Sequence, residues 1–270
     1  MFLDSFFENS TKTFPNNIAI EEGDKRYTYI DAERLANKLA NYLRGLEIGP
    51  EDKVTILLPR CAEVIISMLG ILKAGAAYIP LDPEIPADRV NFIMEDAGAK
   101  LLITSDEILD RIGEQLSSFP IFNIDKQRTE LDDYPDTKPI VDGRSEDNLC
   151  YMIYTSGTTG KPKGVLLMHK NAVTYVNGAR KIYPINETDR ALQGFSVSFD
   201  ASVEEIWVPL SAGATLVIGT FDIMRSGDRF SSILQSLDIT FLSCAPTLLS
   251  MVKDDIPHLR ILIFGGEVCS

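Results

Sequence analysis

From Lys53 onward the sequence alternates between short, continuous apolar runs and longer amphipathic stretches. "KVTILL", "AAYIPL" and "KLLITS" read as strands, and "AEVIISMLGILKAG" and "PADRVNFIMEDAG" between them read as helices. A strand that is apolar at every position has no face for water, so both of its faces must be covered. Parallel strands joined through crossover helices supply that cover. A second series comes later, with strands "LCYMIYTS", "GVLLMHK", "RALQGF", "ATLVIG", "ITFLSCA" and "RILIFGG". Its helices are expected near Asn171–Tyr183, Asp200–Leu210, Arg229–Leu237 and Pro246–Lys253. The expected fold class is α/β, with layered, mostly parallel sheets flanked by helices.

An earlier helix is predicted from Thr28, which suits an N-cap three residues before Asp31. Leu35, Leu39, Tyr42, Leu43 and Leu46 come at helical spacing, and Gly49-Pro50 ends the run. The polar, proline-containing segment from Lys126 to Asp147 breaks the rhythm and reads as a long surface connection. It divides the expectation into a first α/β subdomain with its connection, 1–147, and a second, 148–270.

Asp plus Glu outnumber Lys plus Arg by 39 to 26, a net charge of −13. Such a surface repels nucleic acid and anionic membranes, so a bound anion must be held by local structure. The apolar stretch Val64–Leu72 is too short to span a bilayer and is broken by Ser67 and Gly70. The start "MFLDSFFENS" has no basic region before its apolar residues, which leaves a cytoplasmic location as the expectation. Cys61, Cys150, Cys244 and Cys269 are scattered, as are His169 and His258, so no metal site is expected and the cysteines read as buried free thiols. His169 reads as a packed histidine rather than a general base, and Trp207 as core.

"YTSGTTGKPKGV", Tyr154 to Val165, stands between two apolar runs. Glycines let backbone N–H groups wrap an anion; Thr155, Ser156, Thr158 and Thr159 add hydroxyl donors, and Lys161 or Lys163 can neutralise charge. The NTPase P-loop pattern does not fit. Gly157 and Gly160 stand too close together, and Pro162 comes after Lys161 where Ser or Thr is required. Composition alone leaves two readings open, a phosphate cradle and a mobile surface loop.

The loop closely resembles the signature loop of the adenylate-forming ligases, which include acyl-CoA synthetases, luciferases and the amino-acid-activating domains of nonribosomal peptide synthetases. "YTYIDAERLANKLANYL", "LKAGAAYIPLDPEIPADR" and "FDASVEEIW" resemble, in order, further motifs of the peptide-synthetase branch, and "ILIFGGE" resembles the strand that closes the adenine pocket. The resemblance implies an enzyme that joins an amino acid to ATP, with Mg²⁺ assisting, and passes the aminoacyl group to the phosphopantetheine thiol of a peptidyl carrier protein. It assigns Thr155, Ser156, Gly157, Thr158, Thr159, Gly160 and Lys163 to the β- and γ-phosphates, and Gly265, Gly266 and Glu267 to the adenine site. Asp200 is implied as the grip on the substrate's α-ammonium; taken alone, it also suits a helix cap.

At about 100° per residue, Val203, Ile206, Trp207 and Leu210 form one helical stripe. Asp200, Ala201, Glu204 and Val208 share the adjacent face. The other specificity positions map to Ser243, Ile263 and Gly265, and the set resembles lysine-type pockets. Two carboxylates on one wall suit a substrate with two amines: lysine, then ornithine. The alternative for Glu204 is a solvated helix flank.

No segment matches the later motif whose glutamate helps hold Mg²⁺, the ribose-binding aspartate, or the C-terminal lid with its catalytic lysine. No complete catalytic set is therefore assigned within these residues, and the Mg²⁺ ligand is expected outside them. Two other readings fit the same residues: an acyl- or aryl-acid ligase of the same superfamily, or a non-catalytic module that binds nucleotide or a partner. The intact loop and FDxS motif favour an enzyme. Without the lid lysine, the isolated 270-residue chain is expected to catalyse pyrophosphate exchange slower by orders of magnitude than a complete enzyme. Robust exchange by that chain alone contradicts this.

Overall fold

The computed structural model describes residues 1–116, 119–155 and 162–268. Its strands, in chain order, begin with β1 (Ile18–Glu22), β2 (Lys25–Thr28), β3 (Lys53–Ile56), β4 (Ala77–Pro80), β5 (Leu101–Thr104) and β6 (Ile121–Asn123). The later strands are β7 (Leu149–Thr155), β8 (Lys163–Met168), β9 (Arg190–Gln193), β10 (Thr215–Ile218), β11 (Phe241–Cys244) and β12 (Ile261–Phe264). They form two six-stranded sheets, β6-β5-β3-β4-β7-β8 and β12-β11-β9-β10-β1-β2. Only β1/β2 and β7/β8 pair antiparallel among the described strands; all other neighbours are parallel. The expected α/β architecture is the one observed.

Two compact units contain these sheets. The first is Met1–Ser5, Asp31–Pro59 and Glu63–Tyr175; the second is Phe6–Ile30, Arg60–Ala62 and Val176–Ser270. This division differs from the sequence boundary at 147/148, because strand pairing ignores chain order. β7 joins the first sheet through Tyr78↔Tyr151, whose rings stack at 5.6 Å. β1 joins the second through Ile20↔Leu216 and Glu21↔Val217.

In the first unit, Leu57, Ile79, Val90, Met94, Leu102 and Met152 pack into one apolar cluster. The helix Ala87–Ala97 contributes Val90, Ile93, Met94 and Ala97 and ends at Gly98, whose φ of 62° allows its N–H to turn back onto Met94 and Glu95. The Lys126–Asp147 connection is more structured than expected. Ile124–Gln127 is helical and Arg128–Asp133 is a 3₁₀ turn. The helix Tyr29–Gly45 pins the residues after that turn: the Asn37 amide donates to Asp136 O at 2.8 Å and Asn41 to Thr137 O at 2.8 Å.

In the second unit, Leu192, Val217, Phe230, Leu234 and Leu242 form the corresponding cluster. Tyr29 is fully buried and its hydroxyl donates to Ala214 O at 2.7 Å. Trp207 is buried, as expected. The Pro246–Leu249 helix is shorter than predicted. Cys150 and Cys244 are buried free thiols, whereas Cys61 is half-buried, and Cys269 lies outside the described residues. No helix among the described residues is long and apolar enough to cross a membrane.

A buried charge cluster anchors the first unit's N-terminal residues. Arg144 reaches both oxygens of Asp4, which is fully buried, and Lys138 lies 3.5 Å from it. Burial pushes the Asp4 carboxyl up, but Arg144, helped by Lys138 and Lys73, more than offsets this and holds it well below the usual carboxylate range. Beside it His169 is buried, its Nδ1 accepting from Leu3 N–H at 3.1 Å. Burial holds the imidazole pKa down to about 4, so the ring is a neutral packing element at neutral pH. Replacing Asp4 with Ala strands a buried guanidinium and is expected to cost about 3–5 kcal/mol in urea unfolding. Asp4→Leu combined with Arg144→Met is expected to recover most of that loss.

Candidate functional site

The base of the glycine-rich loop is a hairpin. β7 and β8 pair from Leu149↔Met168 to Thr155↔Lys163, so Thr155 and Lys163 face each other where the loop leaves the sheet. Both are exposed, and the Thr155 hydroxyl lies 3.4 Å from Lys163 O. One residue in, a Cβ at Gly164 would collide with Met152 and crowd Tyr154; glycine lets those side chains cross the hairpin. The Tyr154 hydroxyl donates to Asp96 at 2.7 Å. The predicted phosphate residues Ser156, Gly157, Thr158, Thr159 and Gly160 lie outside the described residues.

The predicted substrate residues belong to the second unit and gather around the helix Ala201–Ser211. Asp200 precedes it with helical backbone angles (φ −63°, ψ −27°), and its side chain makes no capping hydrogen bond. Ser202 instead donates to Phe199 O at 2.6 Å. The capping role considered for Asp200 is thus not the one its side chain takes; the carboxylate is exposed. Ala201 is half-buried, and every residue from Ser202 to Ser211 is buried.

Glu204 is therefore not on a solvated flank; it is 9% exposed. The Tyr183 hydroxyl donates to its Oε2 at 3.3 Å, and Ser243 Oγ lies 3.5 Å from its Oε1. Burial and the neighbouring Glu204 carboxylate push the Tyr183 phenol above its ordinary value. Ser243 is buried on β11 and stands in register with Ile263 on β12. The backbone N–H of Gly265 then donates to Cys244 O at 3.3 Å. Glu204 and Ser243 thus meet directly, with Ile263 on the adjoining strand.

Gly265, Gly266 and Glu267 are exposed after β12, and the Thr247 hydroxyl donates to the Glu267 carboxylate. No cluster of three His, Cys, Asp or Glu side chains able to hold a metal occurs among the described residues.

Sequence reasoning passed over two residues here. Tyr183 lies beyond the helix His169–Ile182, and only the tertiary fold brings it to Glu204. Glu205 is fully buried and accepts from the backbone N–H groups of Phe195 at 2.9 Å and Gly194 at 3.1 Å. Burial pushes its carboxyl up to about 8, against the pull of those N–H groups and of Arg60. Its burial is set by the packing of the whole Ala201–Ser211 helix, which no local sequence signal gives.

The family model described as AMP-binding enzyme matches residues 7–270. The chain is 36% identical over 268 residues to the delta-poly-L-ornithine synthetase of Acinetobacter baumannii, covering 99% of this chain and 20% of that protein. It is 37% identical over 267 residues to bacitracin synthase 3 of Bacillus licheniformis, covering 98% of this chain and 4% of that protein. The chain thus spans a small part of the curated relatives it matches. Among solved structures, the nonribosomal peptide synthetase FmoA3 superposes with a TM-score of 0.87 at 27% identity, covering 99% of this chain and 29% of that one. An AMPPNP-bound form of FmoA3 superposes at 0.86 with 26% identity, covering 98% and 29%. VinN shares the fold, with a TM-score of 0.90 at 21% identity over 100% of this chain and 70% of that one.

Glu205 makes stability depend on pH with a definite sign. Its folded-state pKa lies above the ordinary glutamate value of 4.5. Its contribution is therefore fully present below about pH 4.5 and lost as pH rises through about 8. In melting curves between pH 5 and 8, Glu205→Gln is expected to flatten this decline relative to wild type. An unchanged slope contradicts the assignment.

Proposed function

The chain belongs to the AMP-binding enzyme family, as a homologue of the adenylation domains of nonribosomal peptide synthetases, and from this we propose that it activates an amino acid carrying a second amine. Lysine is the first choice and ornithine the next. The observation that carries this reading is Glu204, a buried carboxylate one helical turn beyond Asp200, oriented by Tyr183 and standing beside Ser243. A partly desolvated carboxylate is a strong counter-ion for an ammonium group. Asp200, exposed and not spent on a cap, takes the α-ammonium. The name of the ornithine-polymer synthetase among the relatives supports a diamine.

In this reading a carboxylate oxygen of the amino acid attacks the α-phosphorus of ATP. A phosphorus–oxygen bond forms, the bond to the bridging oxygen breaks and pyrophosphate leaves. Thr155, Ser156, Gly157, Thr158, Thr159, Gly160 and Lys163 hold the β- and γ-phosphates, and Gly265, Gly266 and Glu267 line the adenine. Mg²⁺ supplies charge neutralisation on the phosphates when bound; no described residue is assigned to it. A carrier protein's phosphopantetheine thiol then attacks the aminoacyl carbonyl, forming a thioester and releasing AMP. The lid that closes over these groups is assigned to no residue of this chain.

ATP–pyrophosphate exchange by the full-length protein containing this chain tests the reading. Lysine or ornithine is expected to stimulate exchange most. Glu204→Gln is expected to lower kcat/KM for lysine roughly a hundredfold, about 3 kcal/mol, while sparing norleucine. A preference for leucine or phenylalanine defeats the diamine reading. Exchange driven only by acids without an α-amine assigns the chain to the acid ligases instead.

A further inference from the structure

We propose that Glu205 is a positioning residue for amino-acid binding, clamping the connection between β9 and the Ala201–Ser211 helix so that Asp200 is presented to the substrate. This rests on the amino-acid-activating reading above.

The connection leaves β9 after Gln193 and re-enters regular structure at Ala201, so Asp200 sits at its far end. The Asp200 side chain does not cap the helix, so its placement is set by how the connecting backbone is held. Glu205 lies on the helix that the connection enters and reaches back to the connection's start. Its Oε2 accepts from Phe195 N–H at 2.9 Å and Gly194 N–H at 3.1 Å, and its Oε1 lies 3.2 Å from the same Gly194 nitrogen. A side chain on the helix that follows Asp200 thereby holds the start of the segment that carries Phe199 and Asp200.

Neighbouring groups reinforce this hold. Gln193 Nε2 donates to Phe195 O at 2.6 Å and lies 3.3 Å from Glu205 Oε2. The Arg60 guanidinium lies 3.3 Å from Phe195 O and 3.4 Å from Gly219 O, tying the connection to the end of β10. Gly219 N–H closes the set on Gln193 O at 3.0 Å. Arg60, Gln193 and the Cys244 thiol are among the polar groups near this carboxyl in the described residues. Burying a carboxyl is expensive, and packing alone would be met by an apolar side chain. Converging N–H groups require acceptors; both carboxyl oxygens can accept, whereas an amide puts a donor NH₂ where one of them stood.

The test is Glu205→Gln in the full-length protein, assayed by pyrophosphate exchange with separate KM values for amino acid and ATP. The expected result is an amino-acid KM raised about tenfold, the loss of roughly one net hydrogen bond, with the ATP KM within about twofold. An unchanged amino-acid KM, or equal rises in both, overturns the proposal. Wild-type protein that activates no amino acid at all defeats the underlying reading instead, and this control separates the two failures. Amide hydrogen exchange on the wild type covers a variant that does not fold. The Gly194 and Phe195 amides are expected to be protected like those of β9, and added lysine is expected to slow exchange across 196–200. Exchange at Gly194 and Phe195 as fast as at exposed amides overturns the clamp.

Discussion

Parallel strand pairing governs how this chain is built. A parallel pair cannot be closed by a tight turn, so each strand must be carried back across the sheet before the next begins. Within a parallel run, every carboxyl end then opens on one edge. In the second sheet β11 stands between β9 and β12. The Gly194–Asp200 connection leaves the end of β9, Ser243 lies near the end of β11, and Gly265 comes directly after β12. These candidate residues are scattered in sequence and gathered by topology, as expected for the ligand edge of an open α/β sheet.

The helix Ala201–Ser211, which packs on β9 and β10, has almost no solvent-exposed face and carries two consecutive carboxyl groups. Successive residues point about 100° apart, so the two serve different neighbours. Glu204 meets the Tyr183 and Ser243 hydroxyls, whereas Glu205 meets backbone N–H groups at the end of β9. Burial still pushes the Glu205 carboxyl up to about 8, so those N–H groups hold a group that is largely protonated at neutral pH. One carboxylate faces the side where a substrate cation is proposed, and the other holds the backbone leading to Asp200.

How much of this could be read from the sequence depends on whether the signal was local. Apolar runs announced β3, β4, β5 and the six strands from β7 to β12; burial on both faces explains the interior strands, whereas β8 and β12 stand at sheet edges with most of their residues exposed or half-buried. The N-terminal helix Asp4–Thr13 and the β1–β2 hairpin went unread. The sheet that β1 joins is set by its pairing with β10, far away in sequence. Asp200 and Glu204 were legible from a motif and helical spacing. The burial of Glu204, the approach of Tyr183 and the reach of Glu205 were not, since each arises from side chains that meet only after the sheet assembles. The domain boundary moved for the same reason: β7 and β8 belong by hydrogen bonding with strands that precede residue 147.

The central claim is that the wall formed by Asp200 and Glu204 reads two ammonium groups on one amino acid. A crystal structure of the full-length protein with a non-hydrolysable sulfamoyl analogue of lysyl-adenylate tests it most directly. The account predicts the α-ammonium on Asp200 and the side-chain ammonium within about 3 Å of a Glu204 oxygen. A side-chain ammonium directed to solvent, with Glu204 still bound only by Tyr183 and Ser243, would contradict it.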